Sequence, residues 1–265
     1  MSTFTDITIE RSGNVATVVI QRPPHNFFDM SLIKQIATAL EGFDSEIDVR
    51  AIVLASEGKS FCAGANFGDG SALDKQGNRP GESTLNSSGH LYQEAVRIFR
   101  AKKPIVAAVQ GPAIGGGLGL AVACDFRIAA PEARFSANFT RLGFHPGFGL
   151  TYTLPRLIGV QQASKMFYTS RRLTGEEALA IGLADEVVPL ADVRKRAQEF
   201  AAEIAENAPL AVQATRATVR AGLADKVKEQ TDHELSLQQN LRAAEDFKEG
   251  VKAYAERRKP NFTGR

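Results

Sequence analysis

The sequence is short of cysteine and carries almost no excess of charge. Of its 265 residues only Cys62 and Cys124 are cysteines, too few for a disulfide framework and without the spacing of a metal site. Lysine and arginine together number 32 against 30 for aspartate and glutamate. No stripe of basic residues with interleaved aromatic residues occurs. These absences argue against a disulfide-stapled domain, a metal site and a nucleic-acid partner.

Targeting and membrane signals are missing as well. The N-terminus, MSTFTDITIERSGN, has no basic start followed by an apolar stretch, so we expect no secretory signal. The apolar segment 103–125 is interrupted by Pro104, Pro112 and several glycines. A membrane-spanning helix needs about 20 mostly apolar residues without such interruptions. We therefore expect a cytoplasmic protein with no membrane partner.

Hydrophobic patterning indicates an α/β protein. Residues 7–11 and 15–21 form a predicted β-hairpin, and residues 51–56 form a short apolar strand. Asp29 or Ser31 is suited to cap a helix whose apolar residues share one face. Strands alternate with helices to residue 190 and only helices follow, which predicts an α/β core with a helical C-terminal extension.

Two further segments have local signatures. Thr174 and Glu177 form a capping box, which predicts the start of a helix. Residues 68–89 are polar and rich in glycine, serine, asparagine and aspartate. We interpret this segment as a surface loop that covers a cleft, although plain disorder explains its composition equally well.

The glycine-rich block at 103–125, KPIVAAVQGPAIGGGLGLAVACD, is the most informative part of the chain. It predicts a buried strand at 105–109, a turn at Gly111-Pro112, and the glycines 115–117 opening a short apolar helix. Glycines let a ligand approach the main chain, and unpaired N–H groups at a helix start favour negative charge. The spacing fits neither a dinucleotide fingerprint nor a P-loop. The block therefore suits an anion or an oxygen that becomes negative, with a purely structural glycine turn as the alternative.

Five segments in order resemble the crotonase, or enoyl-CoA hydratase/isomerase, superfamily. They are FCAGANF at 61–67, KKPIVAAVQGPAIGGGLGLAVACDFRIA at 102–129, PRLIG at 155–159, LTGEEALAIGLADEVVP at 173–189 and YAERRKPNF at 254–262. The resemblance implies an α/β spiral of ββα units at 1–200 and a helical trimerisation region at 201–265. It further implies a lyase or isomerase acting on a coenzyme A thioester without a prosthetic group, assembled as a homotrimer or a dimer of trimers.

The same resemblance assigns roles to particular residues. The main-chain amides of Ala65 and Gly116 correspond to the oxyanion-hole donors, which stabilise the charge that develops on a thioester oxygen. The adenine end of coenzyme A is expected against Ala63, Ala65 and Phe67. Arg257 matches a basic residue that binds the 3′-phosphate, and an arginine fork suits phosphate. From the residues alone, a solvated basic tail is the favoured interpretation. We expect a Cβ added at Gly116 to harm turnover more than folding.

The chain departs from the family pattern at the residues that move protons. Gly119 and Phe139 occupy the positions of the two glutamates of typical hydratases, and Gly147 occupies the position of the aspartate in related isomerases and dehalogenases. We place Gly119, Asn138, Phe139 and Gly147 in the substrate-binding site, but none of them is a proton carrier. Standard hydration is therefore not expected, and Phe139 favours a hydrophobic or aromatic acyl group.

Other residues are candidates for the missing acid or base. His145 is the best-placed imidazole, with a packed loop histidine as the alternative. Weaker candidates are Asp69 and His90 at the ends of the polar loop and Glu94 on a predicted helix, where a solvated helix face is the favoured interpretation. His25 is a candidate for contact with the cofactor, with a plain turn residue as the alternative. The sequence leaves open a lyase or isomerase, a hydrolase or isomerase of a hydrophobic acyl-CoA, and a catalytically silent acyl-CoA-binding relative.

Overall fold

The computed structural model of the chain describes residues 4–67 and 86–265, with the backbone alone for residues 86–90. Most of the predicted polar loop, including Asp69, lies outside the described residues; only the backbone of 86–89 is described. The side chain of His90 also lies outside them. Within the described ranges, every helix is either too short or too polar to cross a membrane.

A twisted main sheet of six strands organises the described chain, and a pair of short strands packs beside it. The main sheet has the order β1-β2-β3-β4-β6-β8, and β5 pairs with β7. Only β1 and β2 are antiparallel, as a hairpin; every other pairing is parallel. The strands are β1 (Ile7–Ser12), β2 (Val15–Ile20), β3 (Ala51–Ser56), β4 (Ile105–Val109), β5 (Pro112–Ile114), β6 (Phe126–Ala129), β7 (Arg134–Ser136) and β8 (Glu186–Val187).

Helices cover both faces of the main sheet, as buried parallel strands require. They are α1 (Met30–Asp44), α2 (Asn86–Arg100), α3 (Gly116–Ala123), α4 (Leu150–Thr169), α5 (Gly175–Ala180), α6 (Val193–Ala205), α7 (Pro209–Val219), α8 (Leu223–Arg242) and α9 (Glu245–Ala255). Val53 and Val106 face α6, whereas Ile52 and Leu54 on the alternate face join the larger core. An α/β core followed by a helical C-terminal region is thus confirmed.

Local sequence signals explain where two helices begin. The Asp29 carboxylate accepts a hydrogen bond from the Leu32 amide at 2.9 Å and caps α1. At α5, the Thr174 hydroxyl accepts from the Glu177 amide at 3.2 Å, and the Glu177 carboxylate accepts from the Thr174 amide at 2.8 Å. Both predicted caps are confirmed.

The predicted turn at Gly111-Pro112 is wrong at Pro112, because β5 begins there. Proline is tolerated as the first residue of a strand, where its missing N–H is not needed. The bend itself is confined to Gly111, whose Cβ, if present, would lie 2.0 Å from the Lys59 carbonyl oxygen. The predicted boundary at residue 200 falls inside α6, so the division into 1–200 and 201–265 stays a prediction.

Candidate active site

A cleft opens beside α3, and its wall is unusually aromatic. The space within it is about 870 Å³ when the open mouth is included. The segments 63–65 and 114–116 line the cleft, together with residues of α2, α8 and α9. Six phenylalanines line it: Phe28, Phe67, Phe139, Phe144, Phe148 and Phe247.

The backbone brings Ala65 and Gly116 to the same wall of this cleft. The Cys62 amide donates to the Pro112 carbonyl at 3.0 Å, and the Ile114 amide donates to the Cys62 carbonyl at 3.0 Å. These bonds extend the small sheet and place Gly64 so near Gly116 that a Cβ on Gly64 would lie 3.7 Å from the Gly116 nitrogen. Gly64 adopts φ +78°, a conformation suited to glycine. The next residue, Ala65, therefore lies beside the start of α3.

Two main-chain donors at this wall have no protein partner among the described residues. Neither the Ala65 amide nor the Gly116 amide donates a hydrogen bond to another described group. By contrast, the Gly115 amide donates to the Ser136 carbonyl at 2.8 Å. Gly116 is the first residue of α3, where a helix leaves its N–H groups unsatisfied and its dipole favours negative charge.

Close packing also requires the glycine run. A Cβ on Gly116 would lie 2.2 Å from Cζ of Phe28, and a Cβ on Gly117 would lie 2.0 Å from the Cys62 carbonyl oxygen. A structural role for the glycine run is therefore compatible with a role in binding an anion or an oxygen that becomes negative. The same residues permit tight packing and leave donors unpaired.

Gly119 and Phe139, the two positions that the resemblance matches to glutamates, have different surroundings. Gly119 is buried behind the Phe148 ring and is not part of the cleft lining; a Cβ there would lie 2.7 Å from Cβ of Phe148. Phe139 does line the cleft, and its ring meets Phe144 edge-on with centroids 5.4 Å apart. Asn138 lines the cleft beside it.

Gly147 lines the cleft, but the space for a side chain is taken by two polar groups. A Cβ on Gly147 would lie 1.9 Å from the Tyr92 hydroxyl and 2.6 Å from Nε2 of Gln238. The Tyr92 hydroxyl donates to Oε1 of Gln238 at 2.9 Å. Burial raises the pKa of Tyr92, so the phenol stays neutral. Sequence reasoning missed both residues, because 146 positions separate them and neither belongs to a motif.

The structure does not bring the His145 ring to the cleft. His145 packs its ring against His233 of α8 with centroids 6.4 Å apart, and its side chain is not part of the lining. Its Nδ1 lies 2.8 Å from the Pro146 carbonyl, so Nδ1 carries the hydrogen. Burial lowers the pKa of His145, and the neighbouring His233 lowers it further. Only the His145 carbonyl reaches the cleft wall, where it accepts from Nε2 of Gln238 at 2.9 Å.

Of the remaining residues predicted from the sequence to take part in the site, some line the cleft and others lie outside it. Ala63, Ala65 and Phe67 line the cleft. Arg257 follows the end of α9 and is exposed, outside the lining. Glu94 of α2 is half-buried and forms an ion pair with Arg97, which also pairs with Glu41 of α1. The carbonyl of His25 accepts from the Ala63 amide at 3.0 Å, while its ring lies against Phe27.

A buried carboxyl group that sequence reasoning missed lies just behind the cleft. Glu234 of α8 is fully buried and accepts from the Gly149 amide at 2.8 Å, the Thr151 amide at 3.0 Å and the Thr151 hydroxyl at 2.6 Å. It thereby satisfies free amides at the start of α4. Burial nevertheless raises the pKa of Glu234 to about 7. Sequence reasoning could not find Glu234, because a glutamate within a predicted helix gives no indication that it caps a distant helix.

Comparisons with known proteins agree with one another. The sequence model of the family described as enoyl-CoA hydratase/isomerase matches residues 10–265. A "Probable enoyl-CoA hydratase" of Rhodobacter capsulatus is 35% identical over 98% of both chains. The (E)-benzylidenesuccinyl-CoA hydratase of Thauera aromatica is also 35% identical, covering 97% of this chain and 99% of the relative. A crystal structure of an enoyl-CoA hydratase/isomerase from Pseudoalteromonas atlantica has a TM-score of 0.84 at 28% identity, covering 98% of this chain and 100% of that one.

These matches confirm the resemblance drawn from five segments of sequence. The match in fold extends over the α/β core and the helical C-terminal region alike, because nearly the whole of each chain is aligned. The chain belongs to the enoyl-CoA hydratase/isomerase family of the crotonase superfamily.

Proposed function

We propose that the protein is an acyl-CoA enzyme that stabilises a thioester enolate between the amides of Ala65 and Gly116. The observation that carries this proposal is the pair of unpartnered main-chain donors on one wall of an apolar cleft. Such donors stabilise developing charge without reorganising, and losing one typically costs about 3–4 kcal/mol. The substrate would be a coenzyme A thioester, and no prosthetic group takes part in the proposed reaction.

The reaction we propose is a lyase or isomerase reaction rather than standard hydration. Among the described residues that line the cleft, none is an aspartate, a glutamate or a histidine. Activating a water molecule requires a titratable side chain that accepts and releases a proton. Neither Gly119 nor Phe139 has a titratable side chain. His145→Ala tests the proton carrier proposed from the sequence. A fall in kcat with unchanged substrate affinity would support that role, and unchanged turnover would remove it.

The acyl group we propose is hydrophobic or aromatic. Six phenylalanines line the cleft, so an apolar acyl group would be bound through its surface area rather than through polar contacts. One similar protein, from Thauera aromatica, is named for a benzylidene-substituted acyl-CoA, which contains an aromatic ring. Equal affinity for short, long and aromatic thioesters, or a preference for short polar ones, would contradict this proposal.

For the cofactor end of the substrate, we propose that adenine lies against Ala63, Ala65 and Phe67. All three residues line the cleft, which supports this assignment. Arg257 would bind the 3′-phosphate through its guanidinium, which offers paired donors to phosphate. Its exposed position, close in sequence to the cleft residue Tyr254, is compatible with a ligand that extends outside the cleft.

We also propose a cytoplasmic homotrimer or dimer of trimers, built through the region 201–265. Helix α7 supports this assembly, because none of its residues is buried within the chain and Leu210 and Val219 are exposed. Size-exclusion chromatography with light scattering tests the assembly directly. A monomer at micromolar concentration would contradict it.

A second candidate function is that of a catalytically silent acyl-CoA-binding relative. The observation that favours it is the same lack of carboxylates and imidazoles among the described lining residues. Two measurements separate the candidates. Isothermal titration with acyl-CoA thioesters reports binding, and the loss of the thioester enone absorbance of crotonyl-CoA reports hydration. Binding without conversion of any thioester in a broad panel would favour the silent relative, and hydration at the rate of authentic hydratases would overturn our reading of Gly119 and Phe139.

A further inference from the structure

Two glycines on one face of α3 are covered by two aromatic rings that line the cleft. Gly116 and Gly119 are three residues apart, so they lie on the same side of the helix. The Phe28 ring lies on Gly116, and Phe148 lies on Gly119 at distances that leave no room for a Cβ. The two rings are neighbours, with centroids 5.9 Å apart.

Phe148 holds this place in a backbone conformation that disfavours it. Its φ is +65°, in the left-handed region that bulky side chains rarely adopt. Strain of this kind persists only where the surrounding structure over-determines it, and it is concentrated at functional sites. The Phe148 side chain is nonetheless almost completely buried, with 1% of the residue exposed.

Helix α8 supplies the contacts that hold the chain on both sides of Phe148. Upstream, Nε2 of Gln238 donates to the His145 carbonyl at 2.9 Å. Downstream, the Glu234 carboxylate accepts from the amides of Gly149 and Thr151. Both side chains are buried, where an unpaired polar group is costly, so these bonds fix the loop firmly.

The geometry points to Phe148 as the residue that sets the acyl-group size limit of the cleft, with Glu234 and Gln238 holding its ring over Gly119. This inference rests on the proposed function and deepens it. The ring fills the volume in which a side chain at 119 would extend toward the cleft. It therefore presents an apolar surface at this position. Removing the ring should open the cleft toward Gly119.

The test measures dissociation constants by isothermal titration with butyryl-, hexanoyl-, octanoyl- and decanoyl-CoA. Each methylene that gains an apolar contact tightens binding by about fourfold. For Phe148→Ala we expect the ratio of the butyryl-CoA to the decanoyl-CoA dissociation constant to exceed the wild-type ratio by about tenfold. Phe148→Leu, which keeps more of the volume, should give a smaller change in the same direction, and it serves where the alanine variant does not fold.

Two further variants complete the design. Phe200→Ala is the matched control, because Phe200 packs on Phe126 at the opposite face of the main sheet and should leave the ratio unchanged. Glu234→Gln tests the positioning role, since Glu234 does not line the cleft. We expect it to raise the ratio toward that of Phe148→Ala, and a ratio equal to that of wild type would remove Glu234 from the inference.

The outcomes are distinguishable from failure of the proposed function. If wild-type protein binds the thioesters and folded Phe148→Ala and Phe148→Leu keep the wild-type ratio, the inference is overturned while the proposed function stands. If wild-type protein binds no thioester at all, the proposed function fails and the inference fails with it.

Discussion

The ring of Phe28 lies directly on the α-carbon of Gly116, the residue whose amide we propose as an oxyanion donor. A Cβ at Gly116 would approach Cζ of Phe28 to 2.2 Å and Cε1 to 2.4 Å. The ring is almost entirely buried, with 6% of Phe28 exposed, and it rests against Phe148 on its other side. The donor and the aromatic wall are therefore coupled, so a change at Gly116 affects both.

For this reason Gly116→Ala should lower stability as well as activity, unlike the expectation from the sequence alone. Forcing a methyl group into a packed site typically costs about 1–3 kcal/mol. We expect that loss in urea unfolding, together with weaker binding of acyl-CoA. In a Phe28→Leu background the added stability loss should shrink, because the colliding ring is gone. Gly42→Ala is the control: its helical position has open space around it, and the change should stabilise by about 0.5–1 kcal/mol.

Asp125 links the sheet to the C-terminal helices, and its removal should be costly. Its carboxylate accepts from Nε of Arg216 at 2.9 Å, from Nη1 of Arg220 at 2.9 Å and from the Ile105 amide at 2.8 Å. Asp125→Ala leaves two largely buried guanidinium groups without their partner. We expect a loss of about 3–5 kcal/mol in the free energy of unfolding.

An exposed pair provides the matched control for this change. Asp225 lies 3.5 Å from Arg100, and its side chain is 78% exposed. Asp225→Ala should cost less than about 1 kcal/mol, because water screens the pair. If Asp125→Ala and Asp225→Ala lower the free energy of unfolding by the same amount, burial of the Asp125 cluster adds nothing to stability.

Glu234 should make stability depend on pH. Burial raises its pKa from 4.5 to about 7, so between these values the folded protein holds a proton that the unfolded chain has released. The contribution of Glu234 is therefore full below about pH 4.5 and declines as pH rises toward 7, by about 1–3 kcal/mol. In Glu234→Gln this decline should be absent from unfolding curves recorded across the range. Parallel pH profiles for wild type and variant would refute the assignment.

We expect Arg257 to contribute to acyl-CoA affinity only through the 3′-phosphate. Arg257→Ala should weaken binding of an acyl-CoA by about five- to tenfold, the value of a charge-assisted hydrogen bond at an exposed site. It should leave the affinity for the matching 3′-dephospho-CoA ester unchanged. Arg258→Ala is the control, because Arg258 is already paired with Glu249 at 2.8 Å. A similar loss with both esters would assign Arg257 to general electrostatics instead.

Local patterns in the sequence predicted much of the fold. Residues 51–56 and 105–109 form the predicted strands, and Asp29 and Thr174 cap the predicted helices. These elements depend on the pattern of apolar residues along the chain and on contacts between residues three positions apart. Both can be seen in the sequence itself. The strand at 112–114 was missed, because it is short, starts with proline and is stabilised by pairing with residues 134–136.

The candidate site could be predicted only in part. The motif around 115–117 and the segment 61–67 identified the family, and the resemblance led to the prediction that two main-chain amides act as donors. Tyr92, Gln238 and Glu234 could not be found, because each acts through a contact with a distant segment: Tyr92 with Gln238, and Glu234 with the start of α4. The position of His145 suggested a proton carrier, whereas tertiary packing turned its ring toward His233.

The sequence by itself determined the family of this protein, its α/β order of elements and the absence of a carboxyl group at positions 119, 139 and 147, because each of these is written in the identity of residues at particular positions. Only the tertiary structure decided which side chains fill the space at two of these positions: Phe148 over Gly119, and Tyr92 with Gln238 beside Gly147. The physical reason is that close packing is a relation between surfaces brought together by folding. A glycine reveals that space is needed, but it does not reveal which distant side chain fills it.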